Sequence, residues 1–233
     1  MRIGQLNAPV HRGARLLPLL LCLGLVAKGQ NLASSNPLVI KAVPQYLVVS
    51  GYWVELEQQR SHHPQQSFTL TPQLYLGPAG QPNRAPYYYY WSPEGQRENE
   101  KVRGFGLQGQ HRFYLKASKT TYPTGWYVSY GPHFQVFQMV YHTRAWQERT
   151  DSDGLVYSEY GLVKHTSTIN RYGGSVQVGY QAPLLPGRVS LDLYAGVGLR
   201  QSYGGAAYRV GTSDYGHRGW YFPGGVKVGL ALR

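Results

Sequence analysis

Four charged residues, Glu55, Arg112, Asp192 and Lys227, and a few histidines and serines are the groups in this sequence able to do more than pack. Ser129 lies four residues before His133, and His165 two before Ser167. A histidine beside a serine is the start of an acyl-transfer site, in which the imidazole takes the hydroxyl proton and an acid orients the imidazole. No acid is aligned with either pair, so both histidines read as hydrogen-bonding groups and no catalytic residue is assigned. "SHHPQ" (Ser61 to Gln65) offers two adjacent imidazoles, but neighbours in a strand or turn diverge and no carboxylate or third histidine is close. "DSDG" (Asp151 to Gly154) has the first acids of a calcium loop without the glutamate that completes one, and reads as a turn. No metal and no cofactor is therefore expected. The run Tyr87, Tyr88, Tyr89, Tyr90, Trp91 supplies rings that stack on a sugar or dock an extracellular ligand, or that sit in an interfacial girdle.

The elements that position these groups are strands. "GRVSLDLYAGVGLRQSY" (Gly187 to Tyr203) sends Val189, Leu191, Leu193, Ala195, Val197 and Leu199 one way, with Ser190, Asp192, Tyr194 and Arg200 on the other face. The same period of two runs through Ser67–Leu76, Arg103–Ala117, Gly125–Tyr141, Arg171–Ala182 and Tyr221–Arg233, and through two earlier segments, Leu38–Val43 and Leu47–Gln58. Eight strands result. Connectors 59–66, 117–123 and 183–187 are short, whereas 77–102, 142–166 and 204–219 are long and polar, and the two kinds alternate. Pro72 and Pro132 fall within strands and cannot donate to a ladder, so each implies a bulge.

Ahead of the strands, Arg12 and Arg15 precede the apolar run Leu16 to Ala27 and the small-x-small site Ala27-Lys28-Gly29. This pattern is expected to be a secretory signal, 1–29, leaving 30–233 as the exported chain. The single cysteine, Cys22, lies in the signal, so the exported part holds no disulfide or thiolate metal site. Four of the 23 Lys and Arg and none of the 11 acids lie there too, leaving 19 bases against 11 acids. An exported chain with no run of five like charges gives no reason to expect nucleic acid. Only 15% of residues are charged, with 29 Gly and 21 Tyr. Low charge, abundant Gly and Tyr, alternating strands longer than those of globular domains and short-long connectors fit a membrane barrel.

The expected fold is thus an all-β, eight-stranded antiparallel up-and-down transmembrane barrel in the outer membrane, with both termini periplasmic. Aromatic residues near strand ends, Trp126, Tyr141, Tyr172, Tyr203 and Tyr221, suit its girdles. Eight strands enclose only enough space for side chains, so no open pore is expected. Inward glycines at 104, 106, 179, 196, 198, 225 and 229 make room for long partners, and inward Glu55 and Asp192 are expected to share Arg112 or Lys227 in a salt-bridge network. Basic residues at the short turns, Arg60, Lys116, Lys119, Arg188 and Arg233, suit anionic headgroups. Outer-membrane lipids and the outer-membrane assembly machinery are the expected partners, with an extracellular ligand on the long loops a further one. The expected role is structural or surface interaction. Two alternatives share the pattern: a lipid-modifying outer-membrane enzyme, and a soluble exported ligand-binding barrel of lipocalin type.

The order of "IKAV", "YWVELEQ", "RGFGLQGQHRFYL", "PTGWYVSYGPHFQVF", "GGSVQVGYQ", "LDLYAGVGLR" and "GGVKVGLALR" resembles a small Bacteroidetes-type outer-membrane β-barrel family of unknown function. The resemblance covers nearly all of the chain after the signal. It implies a location and a fold, and no activity.

Overall fold

The computed structural model describes residues 38–79, 98–116, 122–185, 188–204 and 215–232. The expected signal, 1–29, and the aromatic run Tyr87 to Trp91 lie outside the described residues. The strands are β1 (Leu38–Ala42), β2 (Gly51–Arg60), β3 (His63–Pro78), β4 (Glu98–Tyr114), β5 (Gly125–Thr150), β6 (Val156–Leu185), β7 (Val189–Tyr203), β8 (Gly219–Tyr221) and β9 (Gly224–Leu232). A 3-10 helix, Pro44–Val49, joins β1 to β2. Each strand from β1 to β7 is antiparallel to the next, β7 pairs with β8 and β9, and β9 pairs with β1, so the sheet closes on itself. Tyr221 faces Gly198 and Gly224 faces Ala195, so β8 and β9 lie end to end along β7 as one interrupted stave. The fold is an eight-stave antiparallel barrel.

Period two now has a physical meaning. Along β3, Ser67, Thr69, Thr71, Gln73 and Tyr75 are buried in the lumen while Phe68, Leu70, Leu74 and Leu76 are exposed. Around the outside the same holds for Phe105, Leu107, Val128, Phe134, Val176, Val178, Leu193, Leu199, Val228 and Leu230. This belt runs from β3 round to β9; on β1 and β2 the outward residues Leu38, Ile40, Tyr52, Val54 and Leu56 are apolar but buried or half-buried. Trp126 packs against Tyr180 at the end with the short turns, and Tyr172 against Tyr203 at the other, with ring centroids 5.2 and 5.7 Å apart. These pairs flank the belt as interfacial aromatics do.

Four features depart from the alternation read in the sequence. Leu47–Val49 belong to the helix and not to the second strand, because Pro44 supplies a fixed φ at the helix start and Ser50 ends it in the left-handed region, φ 55°. Pro72 and Pro132 make no bulge. Pro72 stays opposite Leu107 and Pro132 opposite Gly174, while the ladder on the other flank skips a pair of positions and resumes in the same register. A missing N–H removes bonds on one side only, and the neighbouring stave holds the line. Tyr141 and Tyr221 face inward and not toward a girdle; Trp220 is the exposed aromatic at that level. Phe222 and Pro223 interrupt the last strand, which runs on from Tyr221 in the alternation.

The connector 142–166 is also not a loop. β5 and β6 stay paired from Gly125–Gln181 up to Thr150–Val156, joined by a turn over 151–155 in which Gly154 N donates to Asp151 O at 3.0 Å. β4 leaves this pair at His142, so Thr143–Thr150 and Val156–Val163 form a free two-stranded ribbon about 25 Å long. Trp146 against Tyr160 and the ion pair Arg149–Glu159, 3.0 Å, brace it. Among the described residues no other strand pairs with this ribbon. Excising 143–163 and joining His142 to Lys164, which face each other, through an Asn-Gly turn is expected to leave the barrel's heat-modifiable gel migration unchanged.

Candidate functional site

At the end of the lumen with the short turns, six buried charges meet. Lys41 Nζ lies 2.5 Å from Glu57, 2.8 Å from Asp192 and 3.4 Å from Glu55. Arg112 reaches Glu55 at 2.6 Å, Asp192 at 3.0 Å and Glu57 at 3.2 Å, and Lys227 reaches Glu55 at 2.6 Å. Three cations thus meet three carboxylates, and the cluster is neutral. Hydrogen bonds complete it: Ser67 Oγ and Tyr114 Oη donate to Glu57 at 2.5 and 2.7 Å, Tyr127 Oη donates to Asp192 at 2.6 Å, and Lys41 donates to Gln181 at 2.7 Å. Arg112 also lies over the Tyr127 ring, 4.6 Å from its centroid.

Every stave contributes. Lys41 comes from β1, Glu55 and Glu57 from β2, Ser67 from β3, Arg112 and Tyr114 from β4, Tyr127 from β5, Gln181 from β6, Asp192 from β7 and Lys227 from β9. Register explains the meeting, since Lys41 is directly opposite Glu55 and Asp192 opposite Lys227. Two glycines make it possible. A Cβ on Gly179 would overlap the Tyr127 phenol, and one on Gly229 would crowd Ser190 and Lys41. A lone buried charge costs several kcal/mol, so the chemistry open to this arrangement is mutual neutralisation of groups that hold eight staves at one level.

Beyond the cluster the lumen widens into a cavity of about 320 Å³. Its walls include Tyr46, Trp53, Gln135, His133, Arg171 and Arg200. Gln135 Nε2 donates to Gln73 and Tyr75, and Arg171 Nε donates to Gln135 Oε1 at 2.6 Å. Nearer the long connectors an apolar layer of Tyr75, Val102, Phe137, Met139, Ile169 and Tyr215 fills the barrel. Tyr215 comes from the connector before β8; burial pushes its phenol up to about 12, so it remains a neutral donor, to Val49 O at 2.8 Å.

No protein-family model and no curated protein matches the chain. Solved structures similar to it include CarO2 and CarO of Acinetobacter baumannii, at 12% and 10% identity. The alignments cover 84% of this chain and 98% and 95% of those chains, with TM-scores of 0.37 and 0.36.

The structure brings Glu55, Arg112, Asp192 and Lys227 together and adds Lys41 and Glu57, which the sequence reading left out. Glu57 shares the parity of Glu55, two residues away, and was legible on that ground. Ser129 and His133 are not brought together: both point inward on β5 at positions about 13 Å apart. His133 Nδ1 is 3.2 Å from Tyr221 Oη, and Ser129 Oγ has no partner among the described residues. His165 Nε2 meets Thr143 Oγ1 at 2.8 Å and its ring stacks on Tyr141. His62 sits in the turn after β2 and His63 opens β3, both exposed. Asp151 and Asp153 lie in the ribbon's turn, where Ser152 N donates to Asp151 Oδ1 at 2.7 Å. No group of three or more metal-ligating side chains is present among the described residues.

Proposed function

We propose that the protein is an integral outer-membrane β-barrel with a structural and surface-interaction role, its termini periplasmic and its lumen plugged at that end by the six-charge cluster. One observation carries this reading: the barrel is closed, its outward-facing residues are apolar and exposed from β3 round to β9, and one end of its lumen holds a neutral cluster of six buried charges. A soluble ligand-binding barrel needs the opposite, a polar outside and an apolar inside. The resemblance of the strand motifs to small Bacteroidetes-type outer-membrane barrels supports the same placement. A bilayer satisfies such an exterior, and the cluster leaves no water-filled bore at its level. The β5–β6 ribbon, which runs on past the last β4 pairing at His142, is the part that reaches beyond the membrane to a partner.

Alkaline carbonate extraction tests the location. The protein is expected to stay in the membrane pellet and to need detergent for purification; a monodisperse species in plain buffer overturns the reading. In planar bilayers the purified barrel is expected to give no stepwise conductance, and regular open steps would count against the plug.

A further inference from the structure

The barrel wall has a gap one strand wide. β1 leaves the sheet after Ala42, whose partners are Val54 and Val228. Beyond that level Gly51–Trp53 on β2 and Gly224–Lys227 on β9 keep ladder partners on β3 and β7 but pair with no strand on the β1 side, among the described residues. The 3-10 helix Pro44–Val49 occupies the gap in place of a strand. Backbone bonds hold only its flanks, from Val43 N to Trp53 O at 3.2 Å and from Leu76 N to Ser50 O at 2.9 Å. Side chains hold the rest: Tyr46 stacks on Trp53 with centroids 3.5 Å apart, and Gln45 Nε2 donates to Tyr194 Oη at 3.0 Å. Val48 is 83% exposed, and so is Phe222, at 78%, where the last stave breaks. Elsewhere the wall is a hydrogen-bonded ladder that a bilayer makes costly to open; here side-chain contacts, among them Tyr215 Oη donating to Val49 O at 2.8 Å, stand in for the ladder.

Directly behind it lies the 320 Å³ cavity. Val43, Tyr46, Val49 and Phe222 line its near side, and Arg171 and Arg200 stand on β6 and β7. Register pairs Arg171 with Ser202 and Arg200 with Gly173, so the two guanidinium stems are diagonal neighbours with Cβ atoms about 7 Å apart. Four polar atoms on lining residues have no hydrogen-bond partner among the described residues: Gln45 Oε1, Trp53 Nε1, Gln73 Nε2 and Gln177 Oε1. Gln73 and Gln177 are nearly fully buried. Of the four atoms, the N–H donors Trp53 Nε1 and Gln73 Nε2 are the ones a carboxylate, which only accepts, can meet. The one carboxylate among the lining residues, Glu55, is taken up by Lys227 and Arg112, so the lining offers Arg171, which donates to Gln135 and Tyr215 O, and Arg200, which donates to His217, with amides and phenols beside them. A volume near 320 Å³ is at the small end of ligand pockets, too small for a lipid with several chains.

We infer that this cavity binds a single-chain amphiphile with a carboxylate head, which reaches it sideways from the bilayer past the 44–49 helix. The head meets Arg171, Arg200 and Gln73, and the tail lies between Tyr46, Val49 and Phe222 toward the gap. The inference rests on the outer-membrane reading, and the two fail differently. A protein released by carbonate fails the first; one that stays in the membrane without the labelling described next fails only the second.

The test uses the full barrel in phosphatidylethanolamine vesicles with dodecanoate carrying a terminal photoreactive diazirine. Labels mapped by mass spectrometry are expected on residues 44–49 and 222–224, displaced by plain dodecanoate but not by dodecanol or acetate. Arg200→Gln is expected to cut the labelling about tenfold and Arg200→Lys to retain most of it, both with normal heat-modifiable migration. Should Arg200→Gln fail to fold, Gln73→Leu, which keeps both guanidiniums and removes the amide N–H, supplies the same readout with a smaller loss. Labels spread evenly over the apolar belt, equal displacement by dodecanol, or undiminished labelling in a folded Arg200→Gln barrel overturns the inference.

Discussion

Arg112→Met will lower the midpoint at which the folded, fast-migrating barrel converts to its unfolded form, by the equivalent of about 3–5 kcal/mol. Arg112 is fully buried and touches all three carboxylates of the cluster, at 2.6, 3.0 and 3.2 Å. Without it Lys41 and Lys227 are left to balance Glu55, Glu57 and Asp192, and one negative charge stays buried with no counterpart. The loss comes from that stranded charge more than from the missing attraction, since a complete buried pair is worth little against an apolar filler. Adding Glu57→Gln restores neutrality, and the double variant is therefore expected to lie closer to the wild type than Arg112→Met does. Losses that simply add would show that the six groups do not act as one unit, because residues of one network couple by 0.5–3 kcal/mol, roughly.

Alternation reports burial, and the parts of this molecule that alternation explained are those where burial is at stake. Phe68 and Leu70 are out and Ser67 and Thr69 in because the polar lumen and the apolar exterior each reject the other's residues, so parity alone placed Glu55, Arg112, Asp192 and Lys227 in the lumen. Lys41 was harder to see, since a five-residue strand carries too few repeats to fix its phase, and only its register opposite Glu55 reveals the pairing. Where neither face is buried, parity falls silent. The ribbon Thr143–Val163 is held by backbone pairing that any polar sequence can make, and reads as a loop. The helix Pro44–Val49 misled in the other direction: Leu47, Val48 and Val49 have the composition of a strand, and it is Pro44 and the left-handed Ser50 that turn them into a plug for the wall. Proline inside a strand suggested bulges that did not form, because the cost of a missing N–H at Pro72 or Pro132 falls on one flank while the opposite neighbour keeps its register.

Val176→Arg separates lipid from water as the medium around the barrel. Val176 is half exposed on β6, midway between Tyr172 and Tyr180, each four residues off, which belong to the aromatic pairs flanking the belt. In water an arginine at so open a position changes stability by no more than about 0.5 kcal/mol. At the middle of a bilayer it costs about 2–4 kcal/mol, because the guanidinium must stay near hydrocarbon or drag water in. Leu184, exposed at the short-turn end of the same strand, supplies the control: there arginine reaches the headgroups and costs about 0–1 kcal/mol. The folded fraction of Val176→Arg after refolding into dilauroylphosphatidylcholine vesicles is therefore expected to fall well below that of Leu184→Arg, across a denaturant series. Equal curves for the two would mean that depth along β6 has no energetic meaning, and a belt that does not feel depth is not facing a membrane.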